Sequence, residues 1–312
     1  MERLTENKIV LIVRRTRLDE LIARFNTEDQ ARFYVEHLGA DFSDYQTEDR
    51  TYKSAVCDAE GILSRHGRVQ VVTRAFVPNF IFGPKDTVVV LGQDGLVANV
   101  LKYLDGQLLL GANPDPRRWE GVLLPFRVPD LDALMPEVFA KKRPIREVTM
   151  AEATLNTGQV LRGVNDLFIG PRSHTSARYT IRTGDHSESH SSSGIIVSTG
   201  LGSTGWLRSI LAGATGIASV LSGRSIKISE KRAFAWDADY MYFSVREPWP
   251  SKTSSAEITF GKVTQTSPLV LVSHMPENGV IFSDGIETDF LQFNSGTEAT
   301  IRLAARKGHL VT

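Results

Sequence analysis

Residues 86–91, DTVVVL, are the most constraining stretch of this chain. A strand with one face in water alternates apolar and polar positions. A run without alternation needs cover on both faces, as in a parallel sheet flanked by helices. The neighbouring sequence supplies what such a sheet requires. KIVLIV (8–13) is a second buried run, RVQVVTRAF (68–76) alternates as a strand, and QLLLGAN (107–113) adds a short one. Helical spacing separates them in RLDELIARF (17–25), EDQARFYVEHL (28–38), Tyr52 to Leu63 and LVANVLKYL (96–104). Strands alternating with helices up to about residue 112 imply a parallel α/β sheet.

Near residue 140 the pattern changes. VPDLDALMPEVFAKKRPI (128–145) reads as one more helix and a linker. Beyond it come REVTMAEATL (146–155), GQVLRGVNDLFIG (158–170), ARYTIRT (177–183), SSGIIVST (192–199), MYFSVRE (241–247), AEITFG (256–261), PLVLVSH (268–274), GVIFSDG (279–285) and EATIRLAA (298–305). Turn residues separate these segments, as in antiparallel strands. One helical insertion, from about Ser203 to Leu221, interrupts them. The expected architecture is an α/β domain over 1–143 and a β-rich, antiparallel, sandwich-like domain over 144–312.

The charge balance narrows the partners. Lys plus Arg number 36 and Asp plus Glu number 36, so the formal net charge is zero. A nucleic-acid partner, which favours a basic excess, is not expected. An anionic ligand must be held by local geometry. The single cysteine, Cys57, allows no internal disulfide and no cysteine metal cluster; on a helix without an activating partner it reads as packing. No run approaches membrane-spanning length, and no membrane partner is expected. MERLTENKIVLIV enters a strand within a few residues, which leaves no room for a leader. The cytoplasm is the expected address.

Four clusters can carry chemistry. In VVVLGQDGLVANVL (88–101), Gly92, Gln93, Asp94 and Gly95 stand between a strand and a helix. Free N–H groups and the helix dipole at such a turn favour phosphate, and glycine lets the main chain approach it. A carboxylate there repels phosphate, so Asp94 makes sense as the acceptor of a proton from an attacking hydroxyl, or as an aid to Mg²⁺. The same residues also read as a turn with an Asp cap. STGLGSTGW (198–206) again joins a strand to a helix, with hydroxyls suited to phosphate or ribose and Trp206 as a face for a base; an ordinary capped helix is the alternative. In GVNDLFIG (163–170), Asn165 and Asp166 sit in a strand-like run where both are disfavoured. They suit a ribose diol or an adenine amino group, or else mark a bulge or short turn. GANPDP (111–116) ends the strand after the Asp94 helix, at the sheet edge where α/β ligands bind. Asn113 can reach that edge; a proline-rich turn is the alternative. DHSESH (185–190), with His186 and His190, reads as a solvated hairpin loop, and Arg14-Arg15 as a solvated helix start.

These clusters, in this order, resemble the NAD kinases, which carry a GGDGT turn, a later NE pair and a TGSTAY segment. The mitochondrial-type branch is the most similar. Its GVNTDPERSEG resembles GANPDPRRWEG (111–121), its ALNEVFIG resembles GVNDLFIG, its SSGLNLCTGTGSKAW resembles SSGIIVSTGLGSTGW (192–206), and its FSIREP resembles FSVREP (243–248). The aligned segments run from the first strand to SDG (283–285). The resemblance implies a phosphotransferase that uses ATP and Mg²⁺ to phosphorylate the adenosine 2′-hydroxyl of NAD, giving NADP, in a homodimer or larger assembly. On it Asp94 is the general base. Gly92, Gln93, Gly95 and Asn113 belong to the phosphate and ATP side. Asn165, Asp166, Thr199, Ser203, Thr204, Gly205 and Trp206 belong to the NAD side, and no side chain is assigned to a metal. Three positions depart from the family. Gln93 stands for a glycine, Leu96 for a threonine, and Asp166 for a glutamate. Gln93 and Leu96 leave room for another reading, a non-catalytic NAD(P)-binding protein on the same fold. A kinase of a lipid or sugar hydroxyl is a third.

Overall fold

The computed structural model describes residues 7–226 and 233–312. Residues 1–6, on which the leader argument turned, lie outside them. The elements follow in chain order. First come β1 (Lys8–Val13), α1 (Arg17–Phe25), α2 (Glu28–His37), α3 (Phe42–Leu63), β2 (Arg68–Thr73), β3 (Thr87–Leu91), α4 (Asp94–Leu101), β4 (Leu108–Asn113), β5 (Phe126–Arg127), α5 (Leu131–Phe139) and β6 (Ile145–Val148). Then come β7 (Ala151–Leu155), β8 (Val160–Gly163), β9 (Asp166–Pro171), β10 (Ala177–Thr183), β11 (His186–Ser192), β12 (Ile195–Ser198), α6 (Trp206–Ser222), β13 (Tyr240–Val245) and β14 (Phe260–Thr264). The chain ends with β15 (Leu269–Ser273), β16 (Gly279–Ser283), β17 (Ile286–Gln292), β18 (Glu298–Leu303) and β19 (Gly308–Val311).

Two compact units result. Unit 1 takes Met1–Arg146 and His309–Thr312; unit 2 takes Glu147–Gly308. Among the described residues the strands form three sheets. The first is mixed and mostly parallel, in the order β2-β1-β3-β4-β19-β6, with β5 also paired to β4. The other two run β11-β10-β15-β18-β7-β8 and β14-β13-β12-β9-β16-β17, with antiparallel pairing throughout. The apolar run at 86–91 behaves as its composition demands: all of β3 is buried, with Val89 and Leu91 in a core that also takes Tyr52, Ala55 and Ala59 of α3 and Leu131 and Met135 of α5. Unit 2 has its own core, in which Ala153, Tyr179, Ile181 and Leu271 of one antiparallel sheet join Ile169, Val197, Phe243 and Ile281 of the other.

Caps place the first helices. Thr16 accepts from the Asp19 N–H and the Asp19 carboxylate accepts from the Thr16 N–H, a reciprocal cap on α1. Asp41 caps α3, which therefore starts ten residues before the expected Tyr52. Other boundaries also move. The strand expected over 68–76 stops at Thr73, and Arg74–Asn79 turns as a 3-10 helix with Pro78 inside it. REVTMAEATL splits between two sheets as β6 and β7, and AEITFG gives way to β14, shifted four residues on. DHSESH is not a solvated loop: His186 opens β11, and His190 is buried, with Nε2 on Glu188. Cys57 is not packed; it is exposed on α3. Arg14 is not solvated; its guanidinium is held by Glu48 at 2.8 Å.

Candidate functional site

The sequence-predicted residues fall into two sets, one in each unit. In unit 1, the order β2-β1-β3 puts the point where the chain changes direction across the sheet at β1 and β3, and ligands of α/β sheets bind outside the carboxyl ends of such strands. The turn after β3 is Gly92-Gln93-Asp94-Gly95. Gln93 is the cap residue of α4, with φ −123° and no side-chain cap. That extended conformation suits any residue, so the backbone itself does not require a glycine at 93. At Gly92 an added Cβ would meet Leu96 Cδ2 at 2.8 Å, the end of a side chain that folds back over it and would have to shift. Around Gly95 there is open space.

Asp94 does not cap its own helix. Its Oδ1 accepts from the Leu123 N–H at 2.7 Å and its Oδ2 from the Val122 N–H at 3.3 Å. The carboxylate thus faces the loop before β5, and the first N–H groups of α4 have no side-chain cap. The Asn113 carboxamide binds its own loop: it donates to the Trp119 carbonyl at 2.9 Å and accepts from the Asp115 N–H at 3.1 Å. A groove of about 860 Å³ runs along α3, from Thr51 to Arg65, with Asn113, Pro114 and Val128 on its other wall.

Charged residues that the sequence did not single out gather around α3 and the loop after β4. Arg17 reaches both Glu48 and Asp44, and Arg118 reaches Asp44 at 2.6 and 3.1 Å. Hydrogen bonds from Arg118 and Arg17 hold the Asp44 carboxyl well below its ordinary range. Burial pushes Glu48 up, but Arg14 and Arg17 more than offset it and leave it lowered. Apart from Arg14, no local pattern marked these residues, since they meet only through the fold.

In unit 2, GQVLRGVNDLFIG is two strands. Asn165 sits in the turn between β8 and β9, and Asp166 opens β9. Residues disfavoured in strands have made the corner. Asp284, in the SDG segment, holds that corner: its carboxylate accepts from the N–H groups of Val164 at 3.0 Å, Asn165 at 2.6 Å and Asp166 at 3.3 Å. Thr199 ties the corner to the next turn. Its N–H donates to the Asn165 carbonyl at 3.0 Å, its hydroxyl donates to the Val164 carbonyl, and that hydroxyl accepts from the Gly202 N–H at 3.2 Å. Ser203 donates to the Gly200 carbonyl at 2.7 Å. Gly205 precedes α6, and it is exposed together with Thr204. Trp206 lies parallel to Phe168, with centroids 6.0 Å apart, and the Arg246 guanidinium stands 5.5 Å from its ring.

The Thr199 and Ser203 hydroxyls therefore serve the architecture, while two polar side chains at the corner are left for other work. Among the described residues, neither the Asn165 carboxamide nor the Asp166 carboxyl makes a hydrogen bond. Burial, and then the charge of Asp284, push Asp166 up to about 7. A folded-state value raised above the ordinary 3.8 of an aspartate favours the protonated form. This contribution to stability is complete below pH ~4 and is lost as pH rises through about 7, at about 1.4 kcal/mol per pH unit. Asp166→Asn removes it. Thermal melts should show the variant gaining on wild type from pH 5 to pH 8; a constant difference would show that Asp166 titrates normally.

No family model matches the chain, and no curated protein matches it in sequence. Solved structures do. The fold is similar to that of an NAD kinase from Archaeoglobus fulgidus in complex with ATP, with a TM-score of 0.59 over 98% of this chain and 93% of that one, at 14% identity. It is also similar to yeast NADH kinase complexed with NADH, with a TM-score of 0.57 over 98% of this chain and 83% of that one, at 15% identity. Over nearly its whole length, the chain has the fold of these kinases.

Proposed function

We propose that the protein is an NAD kinase, nearest to the mitochondrial-type branch, which uses ATP to phosphorylate the adenosine 2′-hydroxyl of NAD and release NADP and ADP. The observation that carries this reading is Asp94: a carboxylate at an uncapped helix start, on the carboxyl edge of a parallel sheet, anchored through two backbone N–H groups. Each carboxylate oxygen keeps a lone pair beyond those bonds. Asp94 takes the proton of the 2′-hydroxyl as its oxygen attacks the γ-phosphorus, the bond to ADP breaks, and the first N–H groups of α4 face the phosphate charge. The open space at Gly95 suits a close approach of phosphate. The Asn165 and Asp166 side chains hold the dinucleotide, with Thr204, Gly205 and Trp206 beside them.

Among the described residues no group of three His, Cys, Asp or Glu side chains offers a metal cage. Mg²⁺ needs none, because it is commonly held by substrate phosphates and water. Bound in that way, it neutralises phosphate charge. We further place the protein in the cytoplasm as a homodimer or larger assembly. Among the described residues, no helix is long and apolar enough to cross a membrane.

The deciding experiment incubates purified protein with NAD, ATP and Mg²⁺ and assays NADP. Parallel reactions with polyphosphate or NADH fix the donor and the acceptor. Asn165→Ala is expected to weaken NAD binding by roughly 1–3 kcal/mol in calorimetry; unchanged affinity would remove Asn165 from the site. A specific observation favours the binding-protein reading: Leu96 puts a methyl group over Gly92 where the kinases carry a hydroxyl. Gln93→Gly with Leu96→Thr separates the two. A large rise from a near-zero wild type supports a degenerate kinase, whereas a wild type that turns over well and loses activity on restoration shows an adapted turn.

A further inference from the structure

β1 and β3 pair in parallel, with Ile12 opposite Val90. Their ladder has a phase. The Gly92 N–H is directed to the Ala112 carbonyl on the β4 side, so the Leu91 carbonyl is directed to the β1 side. The next rung would run from the Arg14 N–H to that carbonyl. It is replaced by a side chain. The Tyr52 hydroxyl accepts from the Arg14 N–H at 2.8 Å and donates to the Leu91 carbonyl at 2.8 Å. Tyr52 projects from α3 and is 4% exposed. Both backbone groups remain satisfied although the strands no longer touch, so the opening between them carries no desolvation penalty. The residue after Leu91 is Gly92, the first of the turn that carries Asp94.

We propose that Tyr52 is a positioning residue for the Asp94 turn: its hydroxyl parts the carboxyl ends of β1 and β3 and fixes where the turn leaves the sheet. The consequence for turnover rests on the kinase reading above. Tyr52 holds the start of the turn, and the 122–123 backbone holds Asp94 beyond it. Burial pushes the Tyr52 hydroxyl up to about 12, so it keeps its proton across the neutral range and goes on donating to Leu91. Arg14 lies 4.8 Å from the Tyr52 ring and is itself held by Glu48, so the ring has little freedom to swing away.

Tyr52→Phe keeps the ring and removes the wedge. Tyr179→Phe is the matched control, since it deletes a buried hydroxyl bonded to Ser192 Oγ at 2.9 Å in the other unit. In Tyr52→Phe, amide exchange across residues 91–97 is expected to speed up about tenfold. For the same variant kcat should fall on the order of tenfold, with KM for NAD and ATP within about twofold, because a displaced base loses alignment rather than binding. Tyr179→Phe should change neither. Unchanged exchange in Tyr52→Phe overturns the wedge whatever the enzyme does, and faster exchange with unchanged kcat overturns its part in turnover. A wild type that forms no NADP defeats the kinase reading and leaves exchange alone to judge the wedge. Should Tyr52→Phe not fold, the wild-type hydroxyl proton decides: slow exchange, seen as a deuterium isotope effect on the Tyr52 ring carbon, supports the bridge, and fast exchange overturns it.

Discussion

Asp94→Asn is expected to lower NADP formation by about 10²- to 10⁴-fold, the usual cost of losing a general base, while the protein stays folded. The substitution keeps the shape and one carbonyl oxygen. That oxygen can still accept from the Leu123 N–H, where the shorter of the two contacts lies. The new amide NH₂ then faces the Val122 N–H, and losing that longer bond costs about 1 kcal/mol. The two effects differ enough to be read apart by steady-state rates beside a thermal melt. Near wild-type turnover would remove Asp94 from the chemistry. A collapse in stability would show instead that its main work is to hold the loop before β5.

The second large effect is steric. Gly202→Ala would bring a Cβ to 2.0 Å from the Asn165 carbonyl oxygen. That atom belongs to a backbone already tied to Thr199, so no side chain can swing out of the way. The corner has to shift, at a cost of about 3 kcal/mol or more, and the Asn165 and Asp166 side chains shift with it. NAD affinity should fall at least tenfold, as about 1.4 kcal/mol of lost contact suffices for that. Gly213→Ala on α6 is the contrast. Nothing lies within 4 Å of its Cβ, and an alanine in a helix interior gains about 1 kcal/mol over glycine. If both variants melt alike, the tight approach at Gly202 is not a constraint.

The fold was legible where one side-chain pattern dominates. The unbroken apolar run at 86–91 announced a strand covered on both faces, and alternation after residue 144 announced antiparallel sheets. Boundaries failed where local and tertiary signals compete. GQVLRGVNDLFIG is apolar on both sides of the corner, so its composition reads as one strand; Asn165-Asp166 was the signal of a turn. α3 before Tyr52 is polar enough to hide its helical face, and only the cap at Asp41 marked its start. His190 lies in a hydrophilic stretch, and its burial beside Glu188 depends on a hairpin that local composition does not reveal. Asp284 belonged to a segment that the resemblance already covered. Its role in gathering three N–H groups is a contact across more than a hundred residues, and sequence spacing holds no trace of it.

The last strand has a consequence for biosynthesis. β19 pairs with β4 and lies between β4 and β6 in the first sheet, yet it is made after all of unit 2. Unit 2 is one continuous stretch and can fold as it leaves the ribosome. Unit 1 emerges first but must wait with a gap in its sheet, exposing the β4 edge at Leu108 and Leu109 that β5 does not pair, until the chain beyond residue 308 appears. Open edges of this kind invite pairing with other chains. The protein therefore reverses the usual order, in which the N-terminal part finishes first, and its hazardous interval is the time needed to translate the whole of unit 2.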